Sequence, residues 1–157
     1  MLHAYEAAAD AFTSTAEERA SEPMSWWVTR IADPDELSLS FGAFEGEDLV
    51  GTVTVEFSAK PKTKHKALII GMFVRESARG KGIGRALVQA GLEAAASRSD
   101  VRVVTLTATE GNLAALSLYE SVGFKTFGLE PMAIRTQKVL MGKVHMWLPL
   151  PDLGSTV

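Results

Sequence analysis

The stretch Arg79-Gly80-Lys81-Gly82-Ile83-Gly84-Arg85 decides the fold of this chain. It follows an apolar run, residues 67–74, and leads into residues 85–96, which are rich in alanine and leucine. An apolar run, a glycine-rich segment and a run of helix formers predict a strand, a turn and a helix in that order. Closely spaced glycines allow backbone angles that other residues avoid, and they let a bulky ligand approach the main chain.

The turn combines features that suit a bound anion. The N–H groups at the start of a helix have no partner within the helix and point in one direction, which favours phosphate. Arg79, Lys81 and Arg85 add positive charge around the same point. The sequence therefore predicts that this turn binds a phosphate group. For the turn taken alone, the alternative is an ordinary helix start whose glycines bind no ligand.

Two common nucleotide-binding motifs are excluded by the glycine spacing. The Rossmann fingerprint requires Gly-x-Gly-x-x-Gly, whereas this chain has Gly80-x-Gly82-x-Gly84 followed by Arg85. The P-loop pattern Gly-x-x-x-x-Gly-Lys-Ser/Thr is absent from the sequence. The identity of the ligand therefore depends on a second motif.

Composition excludes several classes of function. A chain of 157 residues that is 46% hydrophobic can bury one core, so we expect a single domain over residues 1–157. The net charge of −3 disfavours a nucleic-acid partner. The absence of cysteine excludes disulfides, thiolate metal sites and a cysteine nucleophile. The histidines at positions 3, 65 and 145 lack metal-motif spacing, so we expect no metal.

The sequence contains no pattern typical of a membrane or secreted protein. No apolar run approaches the roughly 20 residues that a membrane span needs. The N-terminal residues lack the basic-then-apolar order of a signal peptide. We therefore expect a cytoplasmic protein without membrane contacts.

The rest of the chain predicts helices and short strands. Residues 2–20 have helix-forming composition, with the capped start of a second short helix at residues 14–18. The predicted strands are residues 38–44, 49–57, 67–74, 101–108, 124–128 and 143–148; a hairpin turn is predicted at 45–48, a helix at 112–122 ending at Gly123, and a long loop between the last two strands. Val53 and Val55 alternate with Thr52 and Thr54, as in a half-buried strand. The predicted fold class is α/β, of the α+β type.

A second motif follows the strand at residues 101–108. It is Asn112-x-x-Ala115-x-x-Leu118-Tyr119-x3-Gly123-Phe124. Together with Val74-x4-Arg79-x-x-Gly82-x-Gly84, it resembles the GCN5-related N-acetyltransferase (GNAT) superfamily. The glycine turn matches the family's Arg/Gln-x-x-Gly-x-Gly/Ala loop for the acyl-CoA pyrophosphate, and the second motif matches the helix that carries its Asn and Tyr. The resemblance covers at least residues 37–148.

The resemblance implies both a fold and an activity. The fold would be a central mixed, mostly antiparallel twisted sheet with helices on both faces. The activity would be transfer of the acetyl group of acetyl-CoA to a primary amine, by direct attack in a ternary complex. Absence of cysteine agrees with a mechanism without an acyl-enzyme, because the easiest nucleophile is missing. The alternative is a CoA-binding sensor or interaction module that does not transfer acetyl groups.

The resemblance also implies which residues contact acetyl-CoA. They are Met72, Phe73, Val74, Arg79, Gly80, Lys81, Gly82, Ile83, Gly84, Arg85, Asn112, Ser117 and Tyr119. The turn would wrap the pyrophosphate, and the end of the preceding strand would pair with the pantetheine arm. A backbone N–H there would face the thioester carbonyl as it becomes an oxyanion. Asn112 and Ser117 would lie near the pantetheine.

Tyr119 is the predicted general acid. By the resemblance it would lie near the CoA sulfur and protonate the departing thiolate. A phenol with a pKa near 10 suits a thiolate of roughly similar basicity. The alternative for this aromatic residue is a packing role at the end of a helix.

The general base is less defined by the sequence. Part of the superfamily has a glutamate on the strand before the pyrophosphate loop, whereas residues 67–74 contain no carboxylate. Glu56, on the previous strand, is the catalytic candidate, since it shares a face with Thr52 and Thr54; the alternative is a solvent-exposed role. Glu110 is a weaker candidate. A chain of water molecules that needs no single base is the interpretation we favour.

The start of the chain departs from the family pattern. Members usually begin with a strand before the first helix, whereas residues 1–6 already have the composition of a helix. We therefore expect the first strand to be missing, with an exposed sheet edge that favours a homodimer.

The acceptor side is the least defined part of the sequence. Residues 12–27 and the loop at 128–141 would flank a small-molecule or peptide amine in this fold. Trp26 and Trp27 would point to different sides of a helix, one into the core and one at a pocket wall. The net negative charge favours a cationic acceptor.

Overall fold

Residues 1–151 are described by the computed structural model, and they form helices packed on one β-sheet. The helices are α1 (Leu2–Ala7), α2 (Ala16–Ala20), α3 (Met24–Ile31), α4 (Ile83–Ala96) and α5 (Leu113–Val122), with 3-10 turns at Ala9–Ala11 and Glu76–Ala78. The strands are β1 (Ser38–Glu45), β2 (Asp48–Phe57), β3 (Lys66–Val74), β4 (Val103–Thr109), β5 (Lys125–Arg135) and β6 (Leu140–Pro149). α4 begins at Ile83 instead of Arg85, because Gly82, with a φ of 79°, is its N-cap.

The strands of the sheet follow the spatial order β1-β2-β3-β4-β6-β5. Every neighbouring pair is antiparallel except β3 and β4, which are parallel and connected through α4. The mixed, mostly antiparallel sheet that the sequence predicted is confirmed.

Helices cover both faces of the sheet, as predicted. Val55 of β2 is fully buried beneath α4, where a Cβ on Gly91 would lie 3.0 Å from the Val55 Cγ2 atom. On the opposite face, the Thr54 and Ser40 hydroxyls share a 2.8 Å hydrogen bond, and Ser40 donates to the Arg30 carbonyl oxygen in α3 at 2.9 Å. The alternation of valine and threonine along β2 therefore separates an apolar side from a polar side.

The segment before β1 is helical. Ala4 and Tyr5 of α1 are buried, and the hydroxyl of Thr109 in β4 donates a 2.6 Å hydrogen bond to the Asp10 carbonyl oxygen. Among the described residues, no strand precedes Ser38, and β1 pairs with β2 alone. Residues 1–37 therefore supply helices and turns, and no strand, to the described fold.

The long loop predicted between the last two strands is wrong. β5 continues to Arg135 and β6 begins at Leu140, so a short turn connects them. The pairing shifts between Glu130 and Ile134, where Met132 has a φ of 53°. The side chains of this edge strand are mostly exposed. Phe127 and Leu129 alternate with polar or small residues, but Pro131 interrupts the pattern, and a proline within such a run argues against a strand.

The sheet splits between β3 and β4. These strands pair only from Lys66 to Leu68 on the β3 side, although both continue beyond that point. Gly71 has a φ of 61°, and the β2–β3 pairing shifts beside it, between Thr52 and Thr54. This bulge bends β3 away from β4 and opens a cleft.

In the part of the chain that the structure describes, no helix has the length and apolar character of a membrane span.

Candidate active site

A cleft of about 850 Å³ occupies the gap between β3 and β4. Its walls come from the end of β3, the glycine-rich turn, the start of α5, and the N-terminal segment with α2 and α3. The lining includes Tyr5, Phe12, Arg19, Trp27, Arg30, Ser40, Thr52, Thr54, Met72, Phe73, Val74, Arg79, Gly80, Gly82, Ile83, Gly84, Arg85, Asn112, Leu118, Tyr119 and Lys143. Both predicted motifs therefore face one cavity, which also extends beneath the N-terminal helices.

The glycine-rich turn presents its backbone to the cleft. Gly80 and Gly82 have φ values of 75° and 79°, and a Cβ on either would have no atom within 4 Å. The N–H groups of residues 80–85 find no acceptor among the described residues, since the first hydrogen bond of α4 is from Ala86 N–H to the Gly82 carbonyl oxygen at 3.0 Å. A run of unpaired donors at a helix start is an anion-binding arrangement.

The cations around the turn have different roles. The Arg79 Nε–H donates to the Val74 carbonyl oxygen at 3.2 Å, and the Arg85 guanidinium donates to the Ser121 hydroxyl at 3.1 Å. Both arginines line the cleft. Lys81 instead forms a 2.7 Å ion pair with Glu45 and is not part of the lining. Two of the three predicted cations therefore face the turn's ligand site.

Close packing fixes the turn against the second motif. A Cβ on Gly84 would lie 3.1 Å from the Leu118 Cδ2 atom and 3.3 Å from the Met72 Cε atom. Glycine at this position lets the start of α4 approach both β3 and α5. The two sequence motifs are thus brought together by direct contact.

Asn112 and Tyr119 lie on the wall of the cleft that α5 forms. The Asn112 Oδ1 atom accepts a 3.2 Å hydrogen bond from the Ala115 N–H and so caps α5. Its amide NH₂ group remains available to a ligand. Tyr119 is 5% exposed and packs edge-on against Phe124, with ring centroids 6.1 Å apart. Burial raises the pKa of Tyr119 to about 12, so its phenol is protonated at neutral pH.

Other candidates from the sequence lie outside this cleft. Glu56 forms a 3.7 Å ion pair with Arg30 and lines a separate shallow cleft beside α3. Ser117 is exposed on α5 and does not line the cavity. The Glu110 carboxylate accepts a hydrogen bond from the Gly142 N–H at 3.2 Å and is also absent from the lining. The structure therefore does not bring Glu56 to Tyr119.

Several cleft residues were not found from the sequence. Arg19 and Arg30 line the half of the cavity beneath the N-terminal helices. Lys143 of β6 lies opposite Thr109 of β4 and also lines the cavity. Burial lowers the pKa of Lys143, and the nearby Glu130 carboxylate offsets part of that effect. No local pattern marks these residues, because they lie far from both motifs in the chain.

The cavity has an uneven charge distribution. Arg19, Arg30, Arg79, Arg85 and Lys143 line it, whereas no aspartate or glutamate of residues 1–151 does so. The described residues also contain no cluster of three or more histidine, aspartate or glutamate side chains placed to hold a metal ion. The side chains present can therefore bind anions and donate protons.

The acceptor-side predictions have mixed outcomes. Trp27 lines the cleft, while the Trp26 ring stacks with the guanidinium groups of Arg19 and Arg30. Neither indole is in the buried core. Residues 128–141 contribute nothing to the cleft lining, so the prediction that this segment flanks the acceptor is wrong for this cavity.

Comparison with known proteins identifies a family. Residues 1–124 match the model of the acetyltransferase (GNAT) family. The chain is 35% identical over 113 residues to N-acetyltransferase 8 of Rattus norvegicus, covering 70% of this chain and 50% of that protein. It is 31% identical over 104 residues to N-alpha-acetyltransferase 30 of Schizosaccharomyces pombe, covering 66% and 69% of the two chains. The chain thus spans about half the length of the rat relative.

Solved structures share the fold. A ribosomal-protein-alanine N-acetyltransferase from Brucella melitensis superposes with a TM-score of 0.77 at 24% identity, covering 95% of this chain and 91% of that one. The protein yncA of Salmonella typhimurium, solved with acetyl-CoA, superposes with a TM-score of 0.72 at 18% identity, covering 90% and 79%. The predicted fold is thereby confirmed.

Proposed function

The chain belongs to the acetyltransferase (GNAT) family, and we propose that it transfers the acetyl group of acetyl-CoA to a primary amine by direct attack in a ternary complex. The observation that carries this proposal is the run of unpaired N–H groups at residues 80–85, which faces the same cavity as Tyr119. An acetyl donor with a pyrophosphate and an acceptor amine would meet within that cavity.

The donor half of the cavity fits CoA in charge and shape. Unpaired N–H groups and the Arg79 and Arg85 side chains suit the negative pyrophosphate. Beyond Leu68, β3 no longer pairs with β4, so its edge is open to an extended arm that adds like a strand. A backbone N–H near Met72 would stabilise the oxyanion as the amine nitrogen bonds to the thioester carbon.

Tyr119 is suited to the last step, in which the carbon–sulfur bond breaks. Its phenol is protonated at neutral pH and makes no hydrogen bond to any described residue, so its proton is available to the leaving thiolate. Proton donation by a positioned acid contributes typically about 10²–10⁴-fold to rate. The Asn112 amide group, which caps α5 with its oxygen, would orient the donor beside it.

The acceptor amine would lose its proton without a carboxylate base. Cationic side chains lower the pKa of an ammonium group placed among them, which increases the neutral fraction that can attack. Because no described carboxylate lines the cavity, we propose that water in the cleft carries the proton out. The same observation favours the second candidate function, a CoA-binding module without transfer activity.

Release of the CoA thiol, measured with acetyl-CoA and a panel of amines, separates these two functions. If the protein is an acetyltransferase, it will release the CoA thiol only when an amine is present. Binding of acetyl-CoA without thiol release in the presence of any amine would instead establish the binding module. For the enzyme, we expect Tyr119→Phe to lower kcat about tenfold or more. The Kd for acetyl-CoA should stay within about twofold of the parent value, because the hydroxyl acts after binding. Equal kcat in both proteins would remove the acid role.

A further inference from the structure

Two arginines lie at the end of the cavity away from the glycine turn. Arg19 comes from α2 and Arg30 from α3, and both line the cleft; Arg30 stands at its boundary, because it also lines the separate shallow cleft that contains Glu56. The Arg30 carbonyl accepts a hydrogen bond from Ser40, which is bonded in turn to Thr54 on the floor of the cleft. The polar face of β2 therefore leads from the opening between β3 and β4 to this pair of cations.

One indole holds both guanidinium groups. The Arg19 guanidinium carbon lies 4.5 Å from the Trp26 ring centroid, and that of Arg30 lies 4.6 Å from the same centroid. Arg19 also lies 5.9 Å from the Tyr5 ring centroid, and its Nη2 atom donates to the Ser14 hydroxyl at 2.6 Å. Stacking and a hydrogen bond hold the Arg19 side chain, and stacking on the same indole holds that of Arg30, so one ring positions both cations.

The carboxylates near these arginines satisfy them only in part. Glu22 lies 3.5 Å from Arg19, and Glu56 lies 3.7 Å from Arg30, beyond the usual length of a charge-assisted hydrogen bond. The Arg19 Nε atom is buried and has no hydrogen-bond partner among the described residues. An unsatisfied buried donor is costly, and a ligand oxygen would remove that cost. An acceptor oxygen beside Arg19 would therefore stabilise this arrangement.

We infer that Arg19 and Arg30 bind the carboxylate of the acceptor, which is a small amine carrying a carboxylate, with a free amino acid as the simplest case. This inference rests on the proposed acetyl transfer. The guanidinium plane matches the two oxygens of a carboxylate, whereas a purely cationic amine would enter a cavity whose charged side chains repel it. The charges that line the cleft thus favour an acceptor with a carboxylate, whereas the net charge of the chain predicted a cationic acceptor.

Matched pairs of amines test the inference. Phenylalanine is compared with phenethylamine, and methionine with 3-(methylthio)propylamine, because each pair differs only in the carboxylate. We expect kcat/KM to be higher for the amino acid by about tenfold or more. Arg19→Gln should reduce this preference to roughly threefold or less, mainly through KM. Arg19→Lys keeps the charge but loses the planar guanidinium, so its preference for the amino acid should lie between those of the parent and Arg19→Gln.

Arg98→Gln is the matched control. Arg98 also stacks on an aromatic ring, with its guanidinium carbon 3.7 Å from the Phe57 centroid, but it does not line the cleft. This variant should keep the full preference for the amino acid. Arg30→Gln provides the second cleft variant if Arg19→Gln fails to unfold cooperatively in urea.

A binding measurement makes the test independent of turnover. N-acetylmethionine and N-[3-(methylthio)propyl]acetamide are titrated in the presence of CoA, with the change in tryptophan fluorescence as the readout. Tighter binding of the acid, lost in Arg19→Gln, supports the inference even if no amine releases thiol and the proposed transfer fails. Equal binding of both compounds, or a preference that survives Arg19→Gln, overturns it. Faster acetylation of a peptide with an amidated C-terminus than of the free amino acid overturns the small-acceptor assignment.

Discussion

At the scale of single residues, Tyr119 shows how one motif position serves both packing and the proposed chemistry. The sequence left open whether this aromatic residue packs or reacts. In the folded protein its ring packs against Phe124, while the residue also lines the cleft. Burial raises the pKa of Tyr119 to about 12 and keeps the phenol neutral. A neutral phenol is the form that a general acid needs.

The raised pKa of Tyr119 predicts a loss of stability at high pH. Below about pH 10 the phenol is protonated in both states, so the stabilising effect of burial is complete. Between about pH 10 and 12 the unfolded chain ionises first, which lowers the free energy of unfolding by about 3 kcal/mol in total. Urea unfolding of the parent and Tyr119→Phe at about pH 8 and about pH 11 measures this effect. The parent should lose roughly 1 kcal/mol more than the variant; parallel losses would contradict the assignment.

At the scale of elements, the turn between β3 and α4 depends on glycine for two different reasons. Gly80 and Gly82 adopt positive φ angles that expose N–H groups to the cleft. Gly84 instead makes room for Leu118 and Met72. The glycine pattern could be recognised in the sequence, whereas the contact of Gly84 with α5 could not be predicted from it.

Gly82→Leu tests the proposed pyrophosphate site against backbone strain. A leucine there would have a strained φ and would project into open space where the ligand is proposed to lie. Gly46→Leu is the matched control, since Gly46 has a φ of 61°, no atom within 4 Å of a Cβ, and no place in the cleft lining. Both variants should lose about 1–2 kcal/mol of stability. Calorimetry should show weaker CoA binding, by about tenfold or more, for Gly82→Leu alone; equal CoA affinity in both variants would remove the pyrophosphate assignment.

At the scale of the whole molecule, the charges are divided unevenly. The chain has a net charge of −3, yet the charged side chains that line the cleft are all cationic and the described lining contains no carboxylate. The net charge of the chain therefore does not predict the charge of the ligand that the cleft favours. A ligand in a cleft responds to the nearest charges, because distant charges are screened.

This distribution predicts that CoA binding weakens with salt. Between about 50 mM and about 500 mM NaCl, we expect the CoA affinity to fall roughly tenfold, since the cavity attracts phosphates mainly through exposed cations. Pantetheine, which lacks phosphate groups, is the control and should bind with little change. Isothermal titration calorimetry measures both ligands. A salt-independent CoA affinity would show that the cationic lining does not contribute to binding.

Self-association also belongs to this scale and stays a prediction. β1 and β5 are the two edges of the described sheet. Phe127 and Leu129 of β5 are exposed apolar side chains, and such edges favour pairing with another chain. Sedimentation at several protein concentrations measures whether the chain forms a homodimer.

The sequence alone determined the family, the strand–turn–helix unit, the polar and apolar faces of β2, and the two motifs from which the donor half of the cleft is proposed. These follow from local features: alternation within a strand, glycines within one turn, and motif residues within one helix. The first part of β5 was predicted as a strand, but its second half was mistaken for a loop, because Pro131 interrupts the strand pattern and the edge strand buries no face.

Only the tertiary structure decided which residues line the half of the cleft that we propose binds the acceptor. Arg19 and Arg30 stand on separate helices, and Lys143 stands on the sixth strand, yet all of them line one cavity. The position of Glu56 was decided in the same way, because Arg30 holds it beside a different cleft. The physical reason is that a site assembled across a split sheet depends on strand separation and helix packing, which bring together residues that no local spacing connects.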